Sequence, residues 1–216
     1  RYCGMDRFSL LRCYAESLGL RLEDHVNCYQ WLIPFLYRHL HVLVLNSKEL
    51  EFPISSPANI TYVGPMICTD RANMPFLPKR EETLSEINEI IERYRKGRLG
   101  RRLVYCTFGS FFSGDDTAFL KKLVLAFKNT NWDVIIALGN RLKPHILGKL
   151  PDNIYCVEFA PQMEILEVAD CAVIHAGMTT VYECIHHGVP MVIYPFRVND
   201  QLGTAARVVY HNLGII

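Results

Sequence analysis

From about residue 101 onward, short unbroken apolar runs alternate with segments whose apolar residues recur every three or four positions. The runs fall at 103–107, 133–138, 154–157, 171–175 and 191–194. Runs of this length suit strands buried on both faces of a parallel sheet. Residues 116–128, 179–187 and 201–211 carry helical spacing between and after them. Strands and helices in alternation predict an α/β domain, a Rossmann-like parallel sheet with helices on both faces. This domain is expected over 101–216.

The earlier part of the chain is patterned differently. Residues 24–38 hold Val26, Tyr29, Leu32, Ile33 and Leu36 at helical spacing, residues 41–45 form a buried-type strand, and 59–65 form a short strand closed by Gly64-Pro65. These read as the last elements of a preceding domain, residues 1–66. Residues 67–100 contain Pro75, Pro78 and the start of a basic run from Arg93 to Arg102, and read as an interdomain linker. The opening 22 residues carry no start signal and a further strand begins near Leu213, so both ends read as interior to a longer chain.

Candidate chemistry is concentrated in Phe159-Ala-Pro-Gln162, His175-Ala-Gly-Met-Thr-Thr-Val-Tyr-Glu183, Gly188-Val-Pro190 and Asp200-Gln201. The apolar run at 171–175 meets a helix start at Gly177. Such a junction leaves the first helical amides without internal partners and gives that end a partial positive charge, which suits a phosphate. Gly177 admits an anion close to the backbone, Thr179 and Thr180 offer hydroxyl donors beside Met178, and His175 offers a ring N–H. The result is a diphosphate cradle without Lys, Arg or metal. Two plainer readings stay open: Thr180 and Glu183 also fit a capping box, and a histidine at a strand end also fits a hydrogen-bonded core position. Ser110, Phe159, His175 and Asp200 each follow a strand, and ligands of doubly wound sheets sit beyond the carboxyl ends of the strands.

In this combination and order the motifs resemble the donor box of the family 1 glycosyltransferases, the UDP-glycosyltransferases, which have the two-domain GT-B fold. Weaker likeness runs back through Val104-Tyr-Cys-Thr-Phe-Gly-Ser110 to Val44-Leu-Asn-Ser47. The resemblance implies a donor-binding domain preceded by part of a second Rossmann-like domain that takes the acceptor. It implies that the segment from Phe159 to Gln162 holds uracil, with Gln162 on the base edge and Glu183 on the ribose hydroxyls. His175, Gly177, Met178, Thr179 and Thr180 would hold the diphosphate with Ser110 opposite, and Asp200 and Gln201 would bond the sugar, a pair that in this family accompanies glucose. Phe159 stands where plant members carry Trp, and Met178-Thr-Thr180 where they carry Trp-Asn-Ser. These departures argue against a plant flavonoid enzyme and toward a microbial one.

The implied reaction is inverting transfer from a UDP-sugar to a hydroxyl of a small-molecule or lipid acceptor, with no cofactor beyond the UDP-sugar and no metal. The family's general base is a histidine held by an aspartate in the acceptor domain; neither has a match here, and the fragment alone is expected to bind donor without transferring it. A UDP-sugar epimerase of the same fold and a non-catalytic nucleotide-sugar-binding module with a partner subunit remain as alternatives.

Composition narrows the picture further. The 216 residues are 50% hydrophobic and 21% charged, with net charge +1, which leaves no electrostatic footprint for nucleic acid or an anionic membrane. No apolar run reaches the ~20 residues that span a bilayer. The eight cysteines include no C-x-x-C pair, and Cys106, Cys156 and Cys171 fall inside strands, so they read as buried hydrophobes in a reducing, cytoplasmic setting. His186 and His187 are adjacent, point about 100° apart on a helix and do not share a metal. Phe119 and Phe127 read as core; Phe111 and Phe112 stay open as acceptor contacts.

Overall fold

The computed structural model describes residues 7–25, 39–56, 58–69, 81–97, 100–109, 117–139, 142–196 and 200–216. The helix expected over 24–38 lies outside these residues beyond His25, as do Ser110, Phe111 and Phe112. The chain divides into two compact units, Arg1–Met66 and Ile67–Ile216.

The first unit contains helices α1 (Arg7–Ser17) and α2 (Leu22–His25) and strands β1 (Val42–Val44) and β2 (Ile60–Tyr62). The strands pair in parallel, Val42 opposite Ile60 and Val44 opposite Tyr62.

The second unit opens with helix α3 (Glu81–Lys96), inside the segment whose prolines and basic run suggest a linker. Ile87, Ile90, Ile91 and Tyr94 are buried at i, i+3, i+4 and i+7, the stripe of a helix lying on a core. Arg93, Arg95 and Lys96 occupy its last turn, where cations favour the helix dipole. The proline-rich part, 70–80, lies outside the described residues.

There follow β3 (Arg102–Thr107), α4 (Thr117–Phe127), β4 (Trp132–Ala137), β5 (Ile154–Val157), α5 (Gln162–Val168), β6 (Cys171–Ile174), α6 (Met178–His186), β7 (Met191–Ile193), α7 (Gln201–Tyr210) and β8 (Gly214–Ile215). The six strands β3 to β8 form one parallel sheet in the order β5-β4-β3-β6-β7-β8. After their exposed first residue, β3 and β4 are buried throughout, as expected of central strands covered on both faces. One side of the core joins Val104, Cys106, Phe108, Val134, Ile136 and Ile154 to Leu120 of α4, with Phe119 and Phe127 packed against it. Burial pushes the thiols of Cys156 and Cys184 up to about 12, so they pack as apolar groups rather than react.

The helix ends explain how the strands are spaced. After α6, Val189 N donates to Cys184 O and Gly188 N to Ile185 O, with Gly188 at φ 66°, a Schellman ending that turns the chain into β7. Asn212 at φ 55° closes α7 in the same way, with Leu213 N on Val208 O, and leads into β8. Gly214 is required there, because a Cβ would lie 2.1 Å from the Met191 carbonyl oxygen.

Candidate donor site

The strand order has one reversal. From β3 the chain moves outward to β4 and β5, returns to β6 on the other side of β3, and moves outward again to β7 and β8. The carboxyl ends of β3 and β6 therefore part company at the point where open α/β sheets bind ligands. β3 runs through Phe108 to Gly109, and β6 runs into His175, Ala176 and Gly177.

His175 fills the space between these two loops. A Cβ on Gly109 would lie 2.9 Å from its Cε1 and 3.0 Å from its Nε2, and a Cβ on Gly177 would lie 2.8 Å and 2.7 Å from the same atoms. The ring thus rests against two backbones that only glycine leaves bare. The residue is 7% exposed and Nδ1 is buried without a hydrogen-bond partner among the described residues. Burial lowers the pKa of the imidazole, and the Thr107 carbonyl and the Asp200 carboxylate partly offset this. The Thr107 carbonyl acts on the ring's charge without meeting hydrogen-bond geometry. The ring is thereby held neutral near pH 7, with one N–H to give and one nitrogen to accept.

Ala176, fully buried, sits at φ 68°, a left-handed conformation that disfavours a residue with a Cβ. That turn aims the start of α6 at the sheet edge. Gly177 is the N-cap and no side chain caps the helix, so the amides of Met178, Thr179 and Thr180 meet no intrahelical carbonyl. The capping box admitted by the sequence is thereby excluded: Thr180 stands inside the helix and Val181 N takes the Gly177 carbonyl. Thr179 is exposed, and Met178 and Thr180 are half-buried.

A second group of candidates gathers under α5 and α6. Gln162 opens α5 directly after Pro161. Its Nε2 donates to Glu183 Oε2 and its Oε1 accepts from the Tyr105 hydroxyl at 3.0 Å. Glu183 is 1% exposed. Phe159, in the loop after β5, is half-buried. Asp200 is the exposed N-cap of α7, close enough to His175 to act on its charge. Gln201 is buried, and its Oε1 accepts from Phe196 N at 2.9 Å, which leaves the amide NH2 and one carbonyl lone pair. The structure thus brings His175, Gly177, Gly109 and Asp200 together, and Gln162 with Glu183. Tyr105 is the participant that sequence reasoning passes over, since an apolar strand gives no hint that its hydroxyl reaches a motif residue.

A cavity of about 930 Å³ lies elsewhere. It opens at the amino ends of β4 and β5 beside Arg101, Lys128, Asp133 and Asn153. Size does not mark the site here. No group of three or more His, Cys, Asp or Glu side chains placed to hold a metal ion occurs among the described residues, and no helix among them is long and apolar enough to cross a membrane.

Residues 24–215 match the sequence pattern of the family described as "UDP-glucoronosyl and UDP-glucosyl transferase". The chain belongs to that family. Among its relatives, the NDP-glycosyltransferase YjiC of Bacillus subtilis is 34% identical over 115 residues, covering 53% of this chain and 29% of the relative. A sterol 3-beta-glucosyltransferase of Aspergillus fumigatus is 31% identical over 212 residues, covering 94% of this chain and 14% of that one. The zeaxanthin glucosyltransferase of Pantoea ananas is 29% identical over 212 residues, covering 93% and 48%. The calicheamicin glycosyltransferase CalG4 has the same fold, with a TM-score of 0.63 at 20% identity over 97% of this chain and 47% of that one. The chain thus spans less than half the length of these family members, and its architecture is of the GT-B type.

Proposed function

We propose that this chain binds the nucleoside diphosphate of a UDP-sugar and forms the donor side of an inverting glycosyltransferase that moves glucose to a hydroxyl of a small or lipophilic acceptor. The observation that carries the reading is the neutral His175, its Cε1–Nε2 edge set between two glycine backbones at the parting of β3 and β6, beside a helix start whose N-cap is a glycine. A diphosphate would accept from the free amides of the helix start and from the ring edge at Nε2, and the helix dipole favours its charge. In this reading Gln162 and Glu183, which are bonded to each other, meet the nucleoside, and Asp200, the N-cap of α7, meets the sugar. Relatives named for the glucosylation of a sterol and of zeaxanthin support glucose as the sugar and a lipophilic hydroxyl as the acceptor.

In the reaction, the acceptor oxygen bonds to the anomeric carbon as the bond from that carbon to the diphosphate oxygen breaks. The leaving diphosphate takes the electron pair, and the acceptor proton passes to a base. The family's pattern for that base has no match in this chain, so the contribution proposed here is to the leaving group. Fixed donors aimed at growing negative charge need no reorganisation, and removing one such donor typically costs ~3 kcal/mol of barrier. The epimerase alternative needs an acid and a base beside the sugar, whereas Glu183 is buried and engaged by Gln162, which leaves Asp200 alone of the two.

Calorimetric titration of the chain with UDP, UDP-glucose, dTDP and GDP tests the proposal. Uridine-selective binding, weakened about 10-fold or more by His175→Ala, is expected, since hydrogen bonds to charged groups contribute about 1.5–3 kcal/mol. Binding of none of the four nucleotides would sink it.

A further inference from the structure

Beneath the rim, three side chains from three different elements are joined in series. Tyr105 lies in the interior of β3, 1% exposed, and its hydroxyl donates to Gln162 Oε1 at 3.0 Å. Gln162 Nε2 donates in turn to Glu183 Oε2 on α6. The order of donors and acceptors has a definite sense. A carboxylate only accepts, so Glu183 requires the NH2 face of the Gln162 amide, and that arrangement turns the amide oxygen toward Tyr105. Flipping the amide would set its oxygen against a carboxylate, a repulsive contact in a buried place, whereas the Tyr105 hydroxyl serves either face of the amide. The Glu183 carboxylate therefore sets the orientation of the Gln162 amide, and the Tyr105 hydroxyl holds the amide oxygen in it.

We propose that Tyr105 is a positioning residue of the donor site: by fixing the Gln162 amide it also fixes the Glu183 carboxylate, so that the two meet the nucleoside part of the ligand as one unit. The inference rests on the donor-site reading above. Tyr105 is too deeply buried to touch a ligand itself and acts only through Gln162. Gln162 then retains one amide hydrogen and one carbonyl lone pair for a ligand, because the other of each is already used. The nucleoside is met by a prearranged pair, and the ordering of that pair is complete before binding.

The test uses the full chain, two ligands and a mutant cycle. UDP reports the nucleoside and diphosphate together, and inorganic pyrophosphate reports the diphosphate alone. Tyr105→Phe keeps the ring and its packing and removes the hydroxyl. It is expected to weaken UDP about two- to tenfold, the range for one neutral hydrogen bond, and to leave pyrophosphate unchanged. In a Gln162→Ala background the same substitution is expected to change nothing further, which a merely structural role would not produce. The Gln162 side-chain amide resonances are expected to shift in Tyr105→Phe while the backbone amide spectrum stays in place. Unchanged UDP affinity, an equal loss for pyrophosphate, or a full loss that persists without Gln162 would overturn the role of Tyr105 and leave the donor site standing. Failure of the unsubstituted chain to bind UDP would overturn both.

Discussion

Gly177→Ala isolates the contact on which the diphosphate cradle depends. The backbone at Gly177 has φ −64° and ψ 127°, ordinary extended geometry that alanine adopts without strain. Any effect must therefore come from the new methyl group. Its Cβ would lie 2.7 Å from His175 Nε2 and 2.8 Å from Cε1, well inside van der Waals contact, and the same ring edge already lies close to Gly109. With the residue 7% exposed, the ring has little open space to swing into, and either it or the Ala176 turn must shift. Overpacking of this kind costs about 1–3 kcal/mol. For a unit of this size each kcal/mol lowers the melting temperature by about 2–4 °C. In the proposed donor site a displaced ring would also lose its bond to a phosphate oxygen, and UDP is then expected to bind about 10- to 150-fold more weakly. Thermal melts and UDP titrations on Gly177→Ala, His175→Ala and the double variant measure both effects. In the His175→Ala background the three atoms nearest the methyl group are gone, so a coupling of about 1–3 kcal/mol between the two positions is expected. If Gly177→Ala costs the same with and without the imidazole, or leaves UDP affinity intact, the packing argument is wrong.

Two further predictions concern charge. Because burial sets the folded pKa of His175 below its unfolded value of about 6.5, the unfolded chain takes up its proton first as pH falls. Stability is then full above pH ~6.5 and declines as pH drops through the folded value; His187, lowered by burial and by the His186 charge, acts in the same direction. Denaturant melts of His175→Gln between pH 7.5 and 5 are expected to show a shallower decline, and an unaltered slope would remove His175 from the account. At the other end of the sheet, the Tyr94 hydroxyl donates to Asp133 Oδ2 at 2.8 Å while Arg101 Nη2 meets Oδ1 at 2.7 Å. Tyr94→Phe leaves the buried carboxylate one donor short and is expected to destabilise by about 1–3 kcal/mol with UDP affinity unchanged; a loss of UDP binding would show the two ends of the sheet to be coupled.

The sheet and the rim are legible in the sequence because their signals are local. Each strand of the second unit from 103 to 194 is a continuous apolar run, and each rim residue follows one of those runs within a few positions. What escapes falls into two kinds. Helix α3 is masked by its surroundings: prolines before it and a basic run through its end suggest a linker, although Ile87, Ile90, Ile91 and Tyr94 keep strict helical spacing. Helix α5 is only seven residues long, and Met163, Ile165, Leu166 and Val168 are spaced too closely to separate a short helix from a strand by periodicity. The second kind has no local signal at all. Tyr105 and Gln162 are 57 positions apart and Gln162 and Glu183 are 21 apart, and only the stacking of α5 and α6 over β3 joins them. The capping box fails for a related reason: the letters fit, but the left-handed turn at Ala176 starts the helix at Gly177 and carries Thr180 past the capping position.

Where a fold tolerates unmet needs says more about function than where it leaves room. The cavity of about 930 Å³ at the amino ends of β4 and β5 is well provided for: Asp133 is held by Tyr94 and Arg101, and Asn153 Nδ2 donates to the carbonyls of Phe127 and Trp132. None of the buried polar side-chain atoms without a partner among the described residues lines it. At the parting of β3 and β6 the opposite holds. A left-handed alanine costs about 1–2 kcal/mol, a buried imidazole nitrogen without a partner costs about 1–3, and an uncapped helix start forgoes about 1. Three such losses within three consecutive residues, 175 to 177, are a large share of the 5–15 kcal/mol by which a typical domain is stable. An anion seated there, as proposed, would reverse the last of them by accepting from the helix amides. A Gly109→Ala chain, whose methyl group would press on the same imidazole edge from β3 at 2.9 Å, is expected to lose UDP as Gly177→Ala does and to lose more stability, because φ at Gly109 is 69° and alanine is strained there.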